Sequence, residues 1–218
     1  MKITYYLEVL SSWCHAAEPV WADLKSAYGS RIEFEWKIAL MEPGDFPASK
    51  AQCDWFYRRI GTITRARVML NSGWFEPERQ GLYLAYNLVA EAGKDFGIAD
   101  DRIRLALAKA GHGEGRKVAD MDQAASVAAL AAGLDAGKLR AKAESPEVLA
   151  RVKSTTAEFQ ALQVGQRPTF VIEDAIGDKA VMSGLIVAPP LVATIEAMFA
   201  DEAAYASYGA HHGKPPAA

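Results

Sequence analysis

Strand-like sequence returns near the carboxyl end of this chain, and that return limits the possible folds more than any other feature. A strand–helix–strand pattern ends at residue 38, and helical sequence then continues to residue 164. β-rich sequence reappears at 169–172. A small α/β domain followed by a separate helical bundle leaves these late strands unexplained. One sheet interrupted by a helical insertion accounts for them.

The amino-terminal part has the pattern of a βαβ unit. β-formers occupy both alternating faces of 3–10, which indicates a strand buried on both sides. Apolar residues recur at helical spacing within 18–28, and Gly29 supplies a stop signal. Apolar and charged residues alternate over 32–38, so the second strand is predicted to be half exposed. The crossover between the two strands is expected to be right-handed.

The middle of the chain reads as a series of helices. A loop with two prolines and a glycine, 41–47, separates them from the first unit. Ser145 and Pro146 supply an N-cap and a first-turn proline for the last helix of the series. The predicted helices are Gly81–Gly93, Asp101–Ala110, Met121–Gly133 and Pro146–Val164.

Two strands and a helix complete the chain. Pro168 precedes the run 169–172, and 180–183 can form its hairpin partner. Helical spacing returns at 191–199, and the small, polar residues from Ala206 onward are expected to fray. The order predicts an α/β protein with a thioredoxin-like fold, in which a helical domain is inserted between a βαβ half and a ββα half. The predicted boundaries are 1–45 and 158–205 for the thioredoxin-like domain, 46–157 for the inserted domain, and 206–218 for a flexible tail.

Composition excludes several classes of protein. The net charge of −3 offers no broad cationic surface, so no nucleic acid partner is expected. No stretch approaches the roughly 20 apolar residues of a membrane span, and the start lacks a signal-peptide pattern, so no membrane partner is expected. Cys14 and Cys53 are too few for a disulfide scaffold and fit a reducing cytoplasm, although a bridge between them stays open. Because no histidine has partners at ligand spacing, no metal site is predicted, and no nucleotide cofactor is expected.

The stretch Ser11-Ser12-Trp13-Cys14 lies where the first strand passes into the first helix. The positively polarised end of a helix favours a thiolate or another anion. In a C-x-x-C arrangement the first residue is the attacking thiol, and the second resolves the mixed disulfide. Ser11 stands at the attacking position here and Cys14 at the resolving one. Two simpler interpretations stay open: Ser11 as a helix N-cap, and Cys14 as a small buried hydrophobic residue.

Three segments together carry a family pattern. They are Tyr5 to Cys14 with its Trp13-Cys14 pair, Gln166 to Ile172, and Met182-Ser183-Gly184. These segments resemble the DsbA-like thioredoxin-fold superfamily, and in particular its FrnE-like cytoplasmic branch, whose motif reads C-P-W-C. The resemblance covers nearly the whole chain. It implies a cytoplasmic protein in which a cis-proline, Pro168, opens the third strand.

Ser11 and Ser12 replace the first cysteine and the proline of that motif. A sister branch, the kappa-class glutathione transferases and 2-hydroxychromene-2-carboxylate isomerases, carries serine at the first position, where it hydrogen-bonds the thiol of glutathione. The resemblance implies this role for Ser11. A hydroxyl donor near a helix N-terminus lowers a thiol pKa, whereas a serine without an adjacent base is a poor nucleophile. Glu8 and His15 are the nearby candidate bases.

The resemblance also assigns the thiol-binding residues, which are Ser12, Trp13, Arg167, Pro168, Ser183 and Gly184. The Arg167 guanidinium is expected either to bind a carboxylate of glutathione or of an acidic substrate, or to remain a solvated surface charge. Ser183 and Gly184 lie where the relatives hold the γ-glutamyl group. The run 185–188 lacks the Asn/Gln-Asp-Arg type of sequence that those relatives have there.

Arginines and aromatic residues alternate at the start of the predicted insertion. This block can cap the cleft and supply cations for an anionic aromatic substrate, or it can be an amphipathic helix with solvated arginines. Its members are Trp55, Phe56, Tyr57, Arg58, Arg59, Ile60, Arg65 and Arg67, followed by Asn71, Trp74 and Phe75.

The sequence therefore predicts an enzyme that acts on a small thiol or its adducts. The first hypothesis is a glutathione-linked transferase or isomerase in which Ser11 stabilises the thiolate. The alternatives are a thiol-disulfide oxidoreductase that uses Cys14 as a single thiol, and a noncatalytic member that binds a peptide or ligand. Glutathione is the candidate cofactor, and a homodimer stays open.

Overall fold

The computed structural model describes residues 1–65 and 83–214. Its centre is a four-stranded mixed sheet with the order β2-β1-β3-β4. β1 runs parallel to β2, while β3 is antiparallel to both β1 and β4. The late strands thus join the sheet of the first unit, which confirms the prediction of one interrupted sheet. The strands are β1 (Lys2–Leu7), β2 (Glu33–Ile38), β3 (Thr169–Glu173) and β4 (Lys179–Ser183).

Eight α-helices surround this sheet in the described part of the chain. The predicted helices are present with shifted ends, and two further helices, Lys50–Thr64 and Ala136–Ala143, lie where the sequence indicated only general helical character. The helices are α1 (Ser12–Tyr28), α2 (Lys50–Thr64), α3 (Ala85–Ala92), α4 (Arg102–His112), α5 (Met121–Ala132), α6 (Ala136–Ala143), α7 (Pro146–Ala161) and α8 (Ala188–His212). The start of the predicted helix Gly81–Gly93 lies partly outside the described residues.

The junction between β1 and α1 differs from the expected one in both bounds. β1 ends at Leu7, three residues before the predicted end, because the Ser11 N–H donates to the Glu8 carbonyl at 3.0 Å and closes a turn. α1 begins at Ser12, because Ser11 caps it. The helix therefore starts six residues before the predicted Glu18. The interpretation of Ser11 as a helix N-cap is thus confirmed, and the other three residues of the motif form the first turn of α1.

Two boundaries of the predicted domains fall inside helices. The boundary between 157 and 158 lies within α7, which is one continuous helix that packs on both β2 and α3. α8 continues to His212, so the described part of the predicted tail is largely helical and not frayed. No described helix is long and apolar enough to cross a membrane.

The core lies between α1 and the sheet. The ring of Tyr5 stacks on Phe170 with a centroid distance of 4.9 Å and lies 5.1 Å from Trp21. The helical region is tied to this core by a buried ion pair, because Arg104 of α4 contacts the carboxylates of Glu18 and Asp101. The insertion is consequently packed against the helix that carries the motif.

Candidate active site at the start of helix α1

Ser11 is the N-cap of α1, and its side chain takes part in the cap. Its Oγ accepts a hydrogen bond from the Cys14 N–H at 3.3 Å. Because the first N–H groups of a helix have no intrahelical partner, those of Ser12 and Trp13 remain available at the positive end of this 17-residue helix. The Ser11 hydroxyl accepts through its oxygen in the cap, so its proton is still able to donate to an anion.

A cleft of about 210 Å³ opens over this helix end. It brings together four of the predicted site residues: Ser11, Ser12, Trp13 and Arg167. Two further lining residues, Phe56 and Arg59, belong to the block of arginines and aromatic residues that was predicted as a possible cap of the cleft, and the others come from the connections before α2 and after α7. These others are Met41, Asp45, Gly165 and Gln166.

Cys14 lies beneath the cleft and does not line it. Its side chain is 1% exposed, and burial raises the pKa of its thiol to about 12, although the Ser11 hydroxyl opposes this shift. A thiol with such a pKa carries almost no thiolate at neutral pH, and the thiolate is the nucleophile. Cys53 is also buried, and both cysteines are free, so the bridge between them is absent.

Arg167 is neither solvated nor free. The Arg167–Pro168 peptide bond is cis, and the Arg167 side chain is 8% exposed. Its Nε donates to the Ala39 carbonyl at 2.6 Å, its Nη2 donates to the Leu40 carbonyl, and the guanidinium stacks 4.5 Å from the centroid of Phe159. The expectation of a solvated surface charge is therefore wrong. Arg167 binds the segment after β2, and only its Nη1, 3.9 Å from Asp45, faces another charge.

Ser183 and Gly184 lie beside the cleft and not on its wall. The Ser183 hydroxyl donates to the Gln166 carbonyl at 3.0 Å, and the Gly184 N–H donates to the Pro168 carbonyl at 2.7 Å. Gly184 has φ of +78°, which favours glycine at this position. Both residues thus hold the segment 166–168, of which Gln166 and Arg167 line the cleft and Pro168 does not.

The two candidate bases do not hydrogen-bond the Ser11 hydroxyl within the described residues. Glu8 is wholly buried, burial raises its pKa, and its Oε1 accepts from Asn87 Nδ2 at 2.8 Å. Burial lowers the pKa of His15, whose ring centroid lies 5.1 Å from that of His112. Ser11 therefore lacks the adjacent base that a nucleophilic serine needs.

Arg59 of α2 stands at the opposite wall of the cleft. Its guanidinium lies over three aromatic rings, 5.8 Å from the centroid of Trp13 and 5.1 Å from those of Trp55 and Phe56. No carboxylate pairs with Arg59 among residues 1–65 and 83–214. The other members of the predicted block, Arg67, Asn71, Trp74 and Phe75, lie outside the described residues.

The cleft has the chemistry of an anion site. A hydroxyl donor and the guanidinium of Arg59 line it, and the free amide N–H groups at the start of α1 lie at its floor. One carboxylate, Asp45, also lines it, 3.9 Å from the Arg167 guanidinium, and the nearby thiol of Cys14 is buried. Within the described ranges, no group of three or more histidine, cysteine or acidic side chains is placed to hold a metal ion.

Solved structures share this fold at low sequence identity. One is a putative protein disulfide isomerase from Nitrosomonas europaea, with a TM-score of 0.74, 13% identity and coverage of 92% of this chain and 98% of that chain. Another is the cytosolic disulfide reductase DsbM from Pseudomonas aeruginosa, with a TM-score of 0.64, 18% identity and coverage of 91% of this chain and 98% of that chain. A third is a 2-hydroxychromene-2-carboxylate isomerase, with a TM-score of 0.60, 13% identity and coverage of 95% of this chain and 98% of that chain.

The DsbM structure has also been solved with GSH, and that chain matches with a TM-score of 0.62, 16% identity and coverage of 91% and 99%. A comparison with curated proteins gives no match. The family model described as "DSBA-like thioredoxin domain" matches residues 2–186, which include the whole sheet and the start of α1. These observations confirm the thioredoxin-like fold with its helical insertion, and the chain belongs to the DSBA-like thioredoxin domain family.

Proposed function

We propose that this protein binds a small thiol, with glutathione as the first candidate, and acts as a thiol-linked transferase or isomerase in which Ser11 stabilises the thiolate. The observation that carries the proposal is that the hydroxyl of the motif, and not its thiol, faces the cleft. Ser11 lines the cleft at the amino end of α1, while Cys14 is buried with a pKa of about 12. The site therefore offers a hydrogen-bond donor to a ligand's sulfur and has no exposed thiol of its own.

The electrostatics of the helix end support the proposal. A thiolate placed over α1 would accept from the Ser11 hydroxyl and from the N–H groups of Ser12 and Trp13, in addition to the helix dipole. Hydrogen bonds to a charged group contribute about 1.5–3 kcal/mol, which corresponds to a thiol pKa lowered by one to two units. From an ordinary thiol pKa of about 8.5, such a shift would raise the ionised fraction of bound glutathione at pH 7 from about 3% to between about one quarter and three quarters.

The neighbouring structures point in the same direction. One neighbour has been solved with GSH, and another is a 2-hydroxychromene-2-carboxylate isomerase. The cleft of about 210 Å³ is smaller than the roughly 300–1,000 Å³ of a pocket for a whole drug-sized ligand, so it suits the cysteinyl end of a peptide thiol.

We infer a cytoplasmic location from the cysteine usage and from the resemblance to the cytoplasmic branch.

The test is the pKa of bound glutathione. Calorimetry at millimolar glutathione measures binding, and the ultraviolet absorbance of the thiolate measures ionisation as pH is raised. We expect the thiol pKa to fall by at least about one unit on binding, and Ser11→Ala to abolish this shift. Ser11→Thr keeps a hydroxyl and should retain it. Ser26→Ala, an exposed serine on the same helix, is the matched control.

Three results would overturn the proposal. The first is no heat of binding at millimolar glutathione. The second is binding with an unchanged thiol pKa, and the third is a pKa shift that Ser11→Ala leaves intact. Binding of a peptide or apolar ligand without any effect on a thiol would instead favour the noncatalytic alternative.

A further inference from the structure

A wholly buried amide from the helical insertion touches the turn that carries Ser11. Asn87 lies on α3, in which all eight residues are buried. Its Nδ2 donates to Glu8 Oε1 at 2.8 Å, and its Oδ1 accepts from the Val9 N–H at 3.2 Å. One side chain thus holds both a side chain and a backbone group of a turn that lies 78 residues away in sequence.

The turn is also closed by its own backbone and anchored by the buried side chain of Leu10. Ser11 is joined to it by its N–H, which donates to the Glu8 carbonyl at 3.0 Å. The direction of the Ser11 hydroxyl and of the first α1 amides therefore depends on where the backbone of Glu8 and Val9 is held. A buried N–H or carboxyl oxygen without a partner is costly, so a shift of Asn87 would carry the turn with it.

The Glu8 carboxyl lies close to the groups of the site. Its charge would act on the Cys14 thiol and on the Arg167 guanidinium. The buried Tyr86 hydroxyl, also on α3, lies beside the same carboxyl. Asn87 therefore helps to fix the position of this buried carboxyl beneath the cleft, and it is Asn87 that also binds the backbone.

We infer that Asn87 is the positioning residue of this cleft: by binding Glu8 and Val9, the insertion sets where the Ser11 hydroxyl and the amino end of α1 point. The inference deepens the proposed function, since it says what orients its thiolate-binding group. It is a statement about positioning, because Asn87 itself is buried and does not line the cleft.

The test uses a thiol placed in the protein, so it does not depend on glutathione. In a Ser11→Cys/Cys14→Ala background, the pKa of the introduced thiol follows from its rate of alkylation by iodoacetamide as a function of pH. Asn87→Ala should raise this pKa by about one unit, which lowers the alkylation rate at pH values below the pKa about 10-fold. Val89→Ala, which truncates another buried side chain of α3, is the matched control and should leave the pKa unchanged.

A second series of variants exchanges the hydrogen-bond donor and acceptor between Asn87 and Glu8. It keeps the inference testable if the Asn87→Ala variant does not fold. Glu8→Gln keeps an acceptor for Asn87 and should be tolerated. Asn87→Asp sets two acceptors against each other and should speed hydrogen exchange of the Val9 amide about 10-fold or more. The double substitution restores one donor and one acceptor and should recover the protection.

The inference is overturned if Asn87→Ala and Val89→Ala change the pKa of the introduced thiol equally. It is also overturned if the double substitution protects the Val9 amide no better than Asn87→Asp alone. Because neither series contains glutathione, failure of the proposed function would appear separately, as the absence of glutathione binding.

Discussion

The backbone N–H of Cys14 donates to the Oγ of Ser11 at 3.3 Å, so the two residues of the S-x-x-C motif are joined by a cap hydrogen bond where a disulfide would otherwise form. Ser11 is at the cleft and Cys14 is beneath it. The motif has kept the geometry of a dithiol site, while its cleft-lining position, which is 6% exposed, carries a hydroxyl.

This relationship predicts that one substitution creates a redox site. Ser11→Cys should place a thiol at the amino end of α1, where the helix dipole lowers its pKa below the ordinary value of about 8.5. That thiol should form a reversible disulfide with Cys14 and give the protein dithiol-disulfide exchange activity, measured by reduction of a disulfide-linked fluorescent peptide. Ser11→Cys combined with Cys14→Ala is the control and should form only stable mixed disulfides. Absence of any internal disulfide in Ser11→Cys under oxidising conditions would contradict the prediction.

The native Cys14 thiol should be unreactive. Burial raises its pKa from 9.0 to about 12, so iodoacetamide should label it at neutral pH at least about 100-fold more slowly than the same residue in the denatured chain. The raised pKa of Cys14 also determines how the free energy of unfolding depends on pH. Above about pH 9 the unfolded thiol ionises while the folded one stays protonated, so stability falls by up to about 1.4 kcal/mol per pH unit between pH 9 and 12. Cys14→Ala should remove this part of the alkaline loss in urea unfolding curves.

His112 should make the fold sensitive to acid. It is wholly buried, and burial together with the nearby His15 lowers its pKa from 6.5 to about 3. The unfolded chain binds a proton below about pH 6.5 that the folded chain does not, so stability is lost as pH falls from 6.5 towards 3. At pH 5 the loss from His112 amounts to about 2 kcal/mol. Unfolding of His112→Leu should show a shallower acid dependence, whereas His212→Leu, at the exposed end of α8, should match the native protein.

The main role of the Arg167 side chain should be to stabilise the fold. Arg167→Lys keeps the charge but loses the planar fork that reaches the Ala39 and Leu40 carbonyls, so it should lower the free energy of unfolding by about 2 kcal/mol. Arg102→Lys, in an exposed pair with Asp100, is the control and should leave stability unchanged. If Arg167→Lys unfolds at the same urea concentration as the native protein, the binding of the segment after β2 does not depend on these hydrogen bonds.

Arg59 should favour ligands that carry a negative charge on the group attached to the glutathione sulfur. S-(carboxybenzyl)glutathione should bind about 10-fold more tightly than S-benzylglutathione, because its carboxylate can reach a guanidinium that three aromatic rings hold at the cleft. Arg59→Gln should remove this preference in calorimetry. Arg58→Gln, an exposed neighbour on α2, should preserve it. Equal affinities of the native protein for the two conjugates would show that Arg59 does not select its ligand.

The sequence by itself determined the kinds of elements, their order and the interrupted sheet. Apolar periodicity, the caps at Ser145 and Pro146, and the β-rich run after Pro168 are local signals, and the backbone obeys them within a few residues. The same local signals marked Ser11 as a possible N-cap, which the structure confirms, although the helical spacing of apolar residues indicated a helix only from residue 18.

Only the tertiary structure decided what the site can do. The depth of Cys14, the hydrogen bonds of Arg167 to carbonyls more than 120 residues away, and the contact of Asn87 with the turn before Ser11 each join distant parts of the chain. Burial and pairing of this kind depend on how the insertion packs against the sheet. They set whether a polar group is desolvated, and desolvation decides both the ionisation of a thiol and the freedom of a guanidinium. No spacing in the sequence carries that information.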